Sequence, residues 1–453
     1  MSQQAGSPLP FSLLDELSCY FDTPDEPESV HLEIAVPGLL DEAAFRVAVL
    51  RVLASFPRAY SHRTHQRPLD SSFSWEPVPA LETDPVSYAQ WSSAEELAML
   101  RARFLASAPP LSTAPPLRLL LAAGSAADET CVLLSANHAA LDGLSCLGLL
   151  REVADAYREP ACGGRPGAVP AERDPAPGPS AFPPASPPQA GPTRTEPAAR
   201  PPGPLPRQRR SLAAWPVSRV AAEPAADRAG YGFCILPALP ASAVRPPTAT
   251  VNDVLIAALI VTTGRWNAKH GRRARNIRIT MPINVRPADQ ERLTGNYARL
   301  ASVSARWDAG MTDLGAILTS VTRQTRWAKA HPRPEVDLFS RLLVATRLPA
   351  VVKHLTMRLV LRLAGPLICD TTLVSNLGNV VVPPRFGSLT ATRMAFSTPA
   401  HMPRGLSVGA ISLGGQLHVC IRYRRALLTD DAAAVFAGMY RTVLDELTPT
   451  TEA

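Results

Sequence analysis

Sixteen of the chain's 47 prolines fall between Pro160 and Pro206. Proline fixes φ and lacks an N–H, so it breaks helix interiors and central strands. Gly, Ala, Ser and Arg fill the gaps, and no apolar period survives there. Residues 159–211 therefore read as an extended or disordered linker, with too little apolar surface to offset the entropy of ordering them. What can fold lies on either side, in residues 1–158 and 212–453.

Both flanks read as mixed α and β. In the first, "SVHLEIAVPG" alternates like a strand, and "LDEAAFRVAVLRVLASF" has helical spacing at Leu40, Ala44, Val47 and Leu50–Val52. "PPLRLLLAAG" and "TCVLLSA" read as strands, and "LSCLGLLREVADAY" as a helix. In the second, "TATVNDVLIAALIVTTGRW" predicts a helix capped by Thr250, with Asp253 in the first turn where the helix dipole favours negative charge. "NIRITMPINV" predicts a strand, followed by two or three helices. The strands "CDTTLVSN", "GLSVGAISLG" and "QLHVCIRY" come next, the last two joined by a hairpin at Gly414-Gly415. A helix from about Thr429 closes the chain.

Composition narrows the setting more than the function. The seven cysteines are far apart, with no C-x-x-C pair, which argues against a disulfide framework or a zinc site and for a reducing compartment. No signal peptide is expected in "MSQQAGSPLPFSLLDELSCYFD", and no uncharged run has the ~20 residues a membrane span needs. A cytoplasmic location follows as the expectation. The net charge is +7, but only Lys269, Lys329 and Lys353 of the 46 basic residues are lysines. An Arg-, Ala- and Pro-rich chain is what GC-rich coding gives, so local clusters carry more than the total.

The stretch "CVLLSANHAALDGLSCLGLL" carries the chemistry. An apolar strand ends in Asn137-His138, and Asp142-Gly143 opens the next apolar run. One reading is a structural histidine at a strand end followed by a helix start. The other is a general base held by a turn: neutral imidazole is the side chain best matched to taking a proton near pH 7.

"NHAALDG" resembles the H-H-x-x-x-D-G signature of the coenzyme A-dependent acyltransferase superfamily. That superfamily includes chloramphenicol acetyltransferases, peptide-synthetase condensation domains, wax ester synthases and polyketide-associated acyltransferases. "TVNDVLIAAL", "MPINVRP" with "GNY" beyond it, "VSNLG" and "PPLRLLL" fall in the family's order, so the likeness spans about residues 10–447 outside the linker. The resemblance implies an α/β (α+β) fold of two chloramphenicol-acetyltransferase-like halves in a V, with a central tunnel. Those halves would be residues 1–158, with the H-x-x-x-D-G motif, and 212–453. It implies His138 as catalytic base and Asp142 paired with Arg286, with Gly143 letting the chain turn without a Cβ in the tunnel. Asn137 replaces the first His, as in alcohol acetyltransferase relatives. Asn252 would lie on the substrate side, and Ser375 and Asn376 near the reacting carbonyl. A helix start is the plainer reading of Asn252-Asp253, and a strand end that of Ser375-Asn376.

The function expected is acyl transfer from acyl-coenzyme A or an acyl carrier protein to a hydroxyl or amine of a small or lipid-like acceptor. No bound cofactor or metal is expected; the thioester is a co-substrate. A stand-alone condensation domain joining carrier-bound substrates is the alternative, and a non-catalytic carrier- or lipid-docking homologue the third reading. The chain is expected to be a monomer that binds no nucleic acid. His62 and His65 are loosely spaced like metal ligands but read as a solvated loop without carboxylate partners.

Two basic clusters remain. Arg272, Arg273 and Arg275 in "KHGRRARNIR" read as a solvated loop or a dock for donor phosphates or a carrier protein. In "RLLVATRLPAVVKHLTMRLVLRLAG", Arg341, Arg347, Lys353, Arg358 and Arg362 interrupt an apolar helical pattern with no acid between Asp337 and Asp370. An ordinary packed helix is favoured there over a membrane-surface or lipid-acceptor patch, and membrane contact is not expected.

Overall fold

A computed structural model describes residues 8–157 and 217–448, apart from 66, 68, 126–127, 245, 274, 288–294, 309–312, 332–337 and 366–368. The Pro-rich linker lies outside the described residues. In chain order the elements before it are β1 (Leu9–Pro10), α1 (Leu13–Phe21), β2 (Ser29–Pro37), α2 (Glu42–Leu53), β3 (Ser61–Arg63), β4 (Ser74–Pro77), β5 (Val86–Trp91), α3 (Ala94–Leu105), β6 (Leu117–Gly124), β7 (Glu129–Asn137) and α4 (Gly143–Ala156). After it come β8 (Tyr231–Ile235), β9 (Leu239–Pro240), α5 (Val251–Lys269), β10 (Asn276–Asn284), β11 (Ala298–Arg306), α6 (Leu314–Ala330), α7 (Leu338–Ala345) and α8 (Ala350–Leu363). The chain ends with β12 (Thr372–Val380), β13 (Arg385–Phe386), β14 (Leu389–Thr390), β15 (Arg393–Ser397), β16 (Leu406–Leu413), β17 (Gln416–Arg424) and α9 (Asp430–Leu447).

Among the described residues two sheets carry the fold. One runs β15-β2-β7-β6-β5; the other runs β11-β10-β12-β16-β17-β8, with β9 on β17. Helices α2 and α4 cover the first, and α5, α6 and α9 the second. The architecture is mixed α/β, as expected. The strand β11 was not anticipated, and it is one of the pieces that position the site.

The linker does not divide the sheets. β15, from far down the chain, pairs antiparallel with β2 and completes the first sheet, Phe396 opposite Leu32. It also crosses β16: a Cβ on Gly409 would run into the backbone carbonyl of Phe396. A second tie is Arg422 of β17, fully buried, which donates to Ser29 O (2.6 Å) and Pro27 O (3.2 Å) at the start of β2. Its guanidinium lies 3.9 Å from the centre of the Tyr231 ring.

Glycine at 409 is thus set by close approach. Gly409→Val should destabilise the protein by roughly 1–3 kcal/mol or more, because a carbonyl held in a ladder cannot give way as a side-chain tip can. Urea denaturation of the variant checks this; an unchanged midpoint would mean that β15 is not held against β16.

Candidate active site

β7 delivers His138. Its nine residues pair along their whole length with both β2 and β6, so the strand end is fixed from two sides. The chain then turns over 138–140 and enters α4, capped by Asp142 (Oδ1 to Ser145 N, 2.9 Å). The His138 N–H donates to Glu28 O at 2.8 Å, and its carbonyl accepts from Asn296 Nδ2 at 3.2 Å. The ring itself makes no hydrogen bond among the described residues. Nδ1 is buried without a partner in a half-buried side chain.

Asp142 and Arg286 meet. Arg286 Nη2 lies 2.6 Å from Asp142 Oδ1, with the side chains only 3% (Arg286) and 9% (Asp142) exposed. The same Nη2 reaches Ser145 Oγ at 2.7 Å. Asp142 Oδ2 accepts from Tyr297 N (3.1 Å), Asp142 N donates to Gly295 O (3.0 Å), and Ser145 Oγ is 3.0 Å from the same carbonyl. Asn284 Oδ1 accepts from Arg286 N at 3.1 Å and presets its backbone. The loop after His138 is therefore bound to the segment between β10 and β11 through one carboxylate and one hydroxyl.

The other motif residues divide. Met281 on β10 sits 3.6 Å (Sδ) from Asn252 Nδ2, at the start of α5. Asp253 completes a capping box with Thr250 and takes a 2.6 Å bond from Thr325, so both its oxygens have structural partners. Ile279 and Thr280 of β10 face Thr372 and Leu373 of β12, and continuing that parallel register puts Ser375 level with Pro282. Alternation turns Val374 into the core and Ser375 to the opposite face. The Ser375 side chain makes no hydrogen bond among the described residues, whereas Asn376 Oδ1 accepts from Gly378 N at 2.8 Å. Asn252, Arg286 and Ser375 thus lie toward one end of the second sheet, beside the His138 loop. Arg272, Arg273 and Arg275 are exposed at the other end of β10, separated from Asn284 by a strand of roughly 26 Å.

Three readings need correction. Gly143 does not have the positive φ that a turn would demand. It is the first residue of α4, where a Cβ would come within 2.7 Å of Leu377 and Phe396, so crowding excludes a side chain. His62 does have carboxylate neighbours: Glu82 at 3.1 Å and Glu76 at 3.6 Å, brought in by β4 and the loop beyond it. Among the described residues no group of three or more His, Cys, Asp and Glu is placed to hold a metal. Finally, α8 is not an ordinary packed helix, since Lys353 is buried and a row of aliphatic side chains is exposed.

A charged cluster unseen in the sequence lies behind His138. His401 Nε2 bonds Glu28, Nδ1 faces Glu26 at 3.7 Å, and Arg424 Nε approaches Glu26 at 3.1 Å. Burial opposes ionisation of Glu28, yet His401, His138 and Arg422 outweigh it and hold the carboxyl below its ordinary value. Burial likewise opposes the His401 cation, and Glu28 and Glu26 prevail, raising its pKa to about 9. No sequence signal pointed to Glu28, which is distant from His138 along the chain and adjacent only through β2–β7 pairing.

No family model matches the chain. It is 29% identical over 451 residues to the Mycobacterium tuberculosis proteins "Uncharacterized protein Rv2305" (strain H37Rv) and "Uncharacterized protein MT2362" (strain CDC 1551), covering 96% of this chain and 99% of each relative. Among solved structures it resembles the first condensation domain of the calcium-dependent antibiotic synthetase in complex with a substrate analogue. The TM-score is 0.64 at 14% identity, over 99% of this chain and 98% of that one. It also resembles a variant of the starter condensation domain of rhizomide synthetase in complex with C8-CoA (TM-score 0.63, 14% identity, 99% and 97% covered). The condensation domain of the Monacolin K polyketide synthase scores 0.63 at 14% identity, with 98% of each chain covered.

Two measurements probe this region. Arg286→Ala should cost roughly 3–5 kcal/mol, as loss of one partner of a buried pair does. Asp142→Ala should cost more, since it also uncaps α4 and strands Tyr297 N, and the double variant should lose less than the sum. Additive losses in chemical denaturation would show the two act separately. For His401, a folded pKa of about 9 against an unfolded value near 6.5 gives stabilisation that is complete below about pH 6.5. It is lost as pH rises through 9, on the order of 3 kcal/mol. His401→Gln should flatten the fall in melting temperature between pH 7 and 10; an unaltered slope would remove His401 as its source. The chain has the fold of the condensation domains of rhizomide synthetase, the CDA synthetase and the Monacolin K polyketide synthase.

Proposed function

We propose that the protein is an acyltransferase that moves an acyl group from a thioester donor, acyl-coenzyme A or an acyl carrier protein, to a hydroxyl or amine. The observation that carries this reading is His138. Its backbone is held by Glu28 and Asn296, the loop after it is locked by Asp142 and Arg286, and its ring is committed to nothing. A histidine kept for packing would have its nitrogens paired, because an unpartnered buried nitrogen is costly.

In the step proposed, the neutral imidazole takes the proton of the acceptor O–H or N–H as that atom bonds to the thioester carbonyl carbon. The carbonyl electrons become an oxyanion, and the uncommitted Ser375 hydroxyl is the donor proposed for it. Collapse breaks the C–S bond, and the departing thiolate takes the proton from the imidazolium. Asp142 and Arg286 touch neither substrate in this scheme; they position the loop. The solved relatives in complex with C8-CoA and with a substrate analogue support a thioester donor. The same relatives keep condensation between carrier-bound substrates as the second reading, since it runs through identical steps and differs only in the handles.

His138→Ala should lower turnover by roughly 10²–10⁴-fold with an unchanged melting curve. Mass spectrometry of products from acyl-coenzyme A against acyl-carrier donors separates the two readings. Wild-type turnover in the folded variant would end the general-base assignment.

A further inference from the structure

Helix α8 is built inside out. Lys353 is its most deeply placed polar residue, 1% exposed, and its Nζ donates to Ser71 O (2.6 Å), Val344 O (2.7 Å) and Glu16 Oε1 (3.3 Å). Val351, Leu355, Leu359 and Leu363, each four residues apart, form a row on the outer face and are 51%, 59%, 56% and 70% exposed. Leu342 of α7 and Leu348 between the helices are exposed as well. An amphipathic helix in water ordinarily turns such a row inward. Here the three bonds to Lys353 set the helix rotation, so the row cannot turn in without stranding a buried ammonium group.

The surroundings of the row are equally one-sided. Arg341, Arg347, Arg358 and Arg362 are exposed around it, and no acidic residue occurs from Leu338 to Cys369. Two members of the row, Val351 and Leu355, also line a cavity of about 400 Å³ whose other walls include Tyr20, Asp22, Arg63 and His354. Asp22 in that wall accepts from Asn137 Nδ2 at 3.0 Å, which ties the wall to the residue preceding His138.

We propose that α7 and α8 form a docking face for an anionic membrane surface, and that the cavity between this face and Asp22 admits a lipid acceptor or long acyl chain from it. The arginines would meet headgroup phosphates while the leucines enter the acyl boundary, as in basic amphipathic helices that lie in the interface plane. Charge complementarity favours lipid. The exposed row is aliphatic and flanked by arginine, the pattern of a basic amphipathic helix lying at a lipid interface. Among the described residues no helix is long and apolar enough to cross a membrane, so the contact is peripheral. The docking stands by itself; the identity of the cargo rests on the acyl-transfer reading above.

The full chain should sediment with sucrose-loaded vesicles of phosphatidylglycerol and phosphatidylcholine in equal parts, and far less with phosphatidylcholine alone. Binding should fall as salt is raised. Arg358→Gln with Arg362→Gln should weaken it by roughly tenfold or more, and Leu359→Ser with Leu363→Ser should do the same at unchanged melting temperature. Neither pair lines the cavity, so transfer to a short water-soluble alcohol without vesicles should be unaffected. A wild-type protein that stays in the supernatant with both vesicles overturns the docking face. So does an acidic carrier protein whose binding is lost in the same variants while vesicles are ignored. Vesicle binding without any acyl transfer would retain the docking face and reject the catalytic reading; transfer without vesicle binding would do the reverse.

Discussion

One carboxylate organises the site. Asp142 caps α4, receives Arg286 and Tyr297 N, and lies in a loop whose own N–H is taken by Gly295. Each bond alone is modest, about 1 kcal/mol net for a neutral pair and more when a charge takes part. Together they fix a loop belonging to one sheet against a segment joining two strands of the other. Ser145, one turn into α4, doubles the connection by holding both Arg286 and Gly295. This lock fixes the backbone of the loop that follows His138 through residues that make no hydrogen bond to its ring.

The opposite side of His138 is held differently, by charge and by strand pairing. Its N–H depends on Glu28, at the edge of β2, where Ser29 pairs with Asn137. Arg422 anchors the same stretch through Pro27 and Ser29, while His401 and Arg424 neutralise Glu28 and Glu26. Burying so many ionised groups is justified energetically only because each has a partner; removing one would leave its neighbour uncompensated.

What could be read from sequence was what depends on neighbours. The α5 start was legible because Thr250 and Asp253 satisfy each other within one turn, and the β16–β17 hairpin because Gly414 and Gly415 both adopt positive φ. The Asp142–Arg286 contact came only through a family resemblance, since nothing local announces a pair separated by 144 positions. Strand β11 was missed because its pattern is inverted: Leu300 is exposed, while Arg299 is buried and donates to the terminal carbonyls of α6 at Ala328 and His331. Lys353 misled for the same reason. A lysine in an apolar run reads as the solvent face, and only Glu16, Ser71 and Val344 reveal that it marks the inner one.

Asn137 shows how a departure from a motif can be structurally complete. Its Nδ2 donates to both Asp22 (3.0 Å) and Pro109 O (3.1 Å), and its Oδ1 accepts from Ala139 N (3.1 Å), all without solvent exposure. A neutral imidazole has one donor and one acceptor, so a histidine here could not meet all three partners at once. The amide fits because Asp22 and the Pro109 carbonyl both require a donor at this point, and Ala139 N an acceptor inside the turn that carries His138. Position 137 therefore shapes the turn that carries His138 and ties it to Asp22 and Pro109.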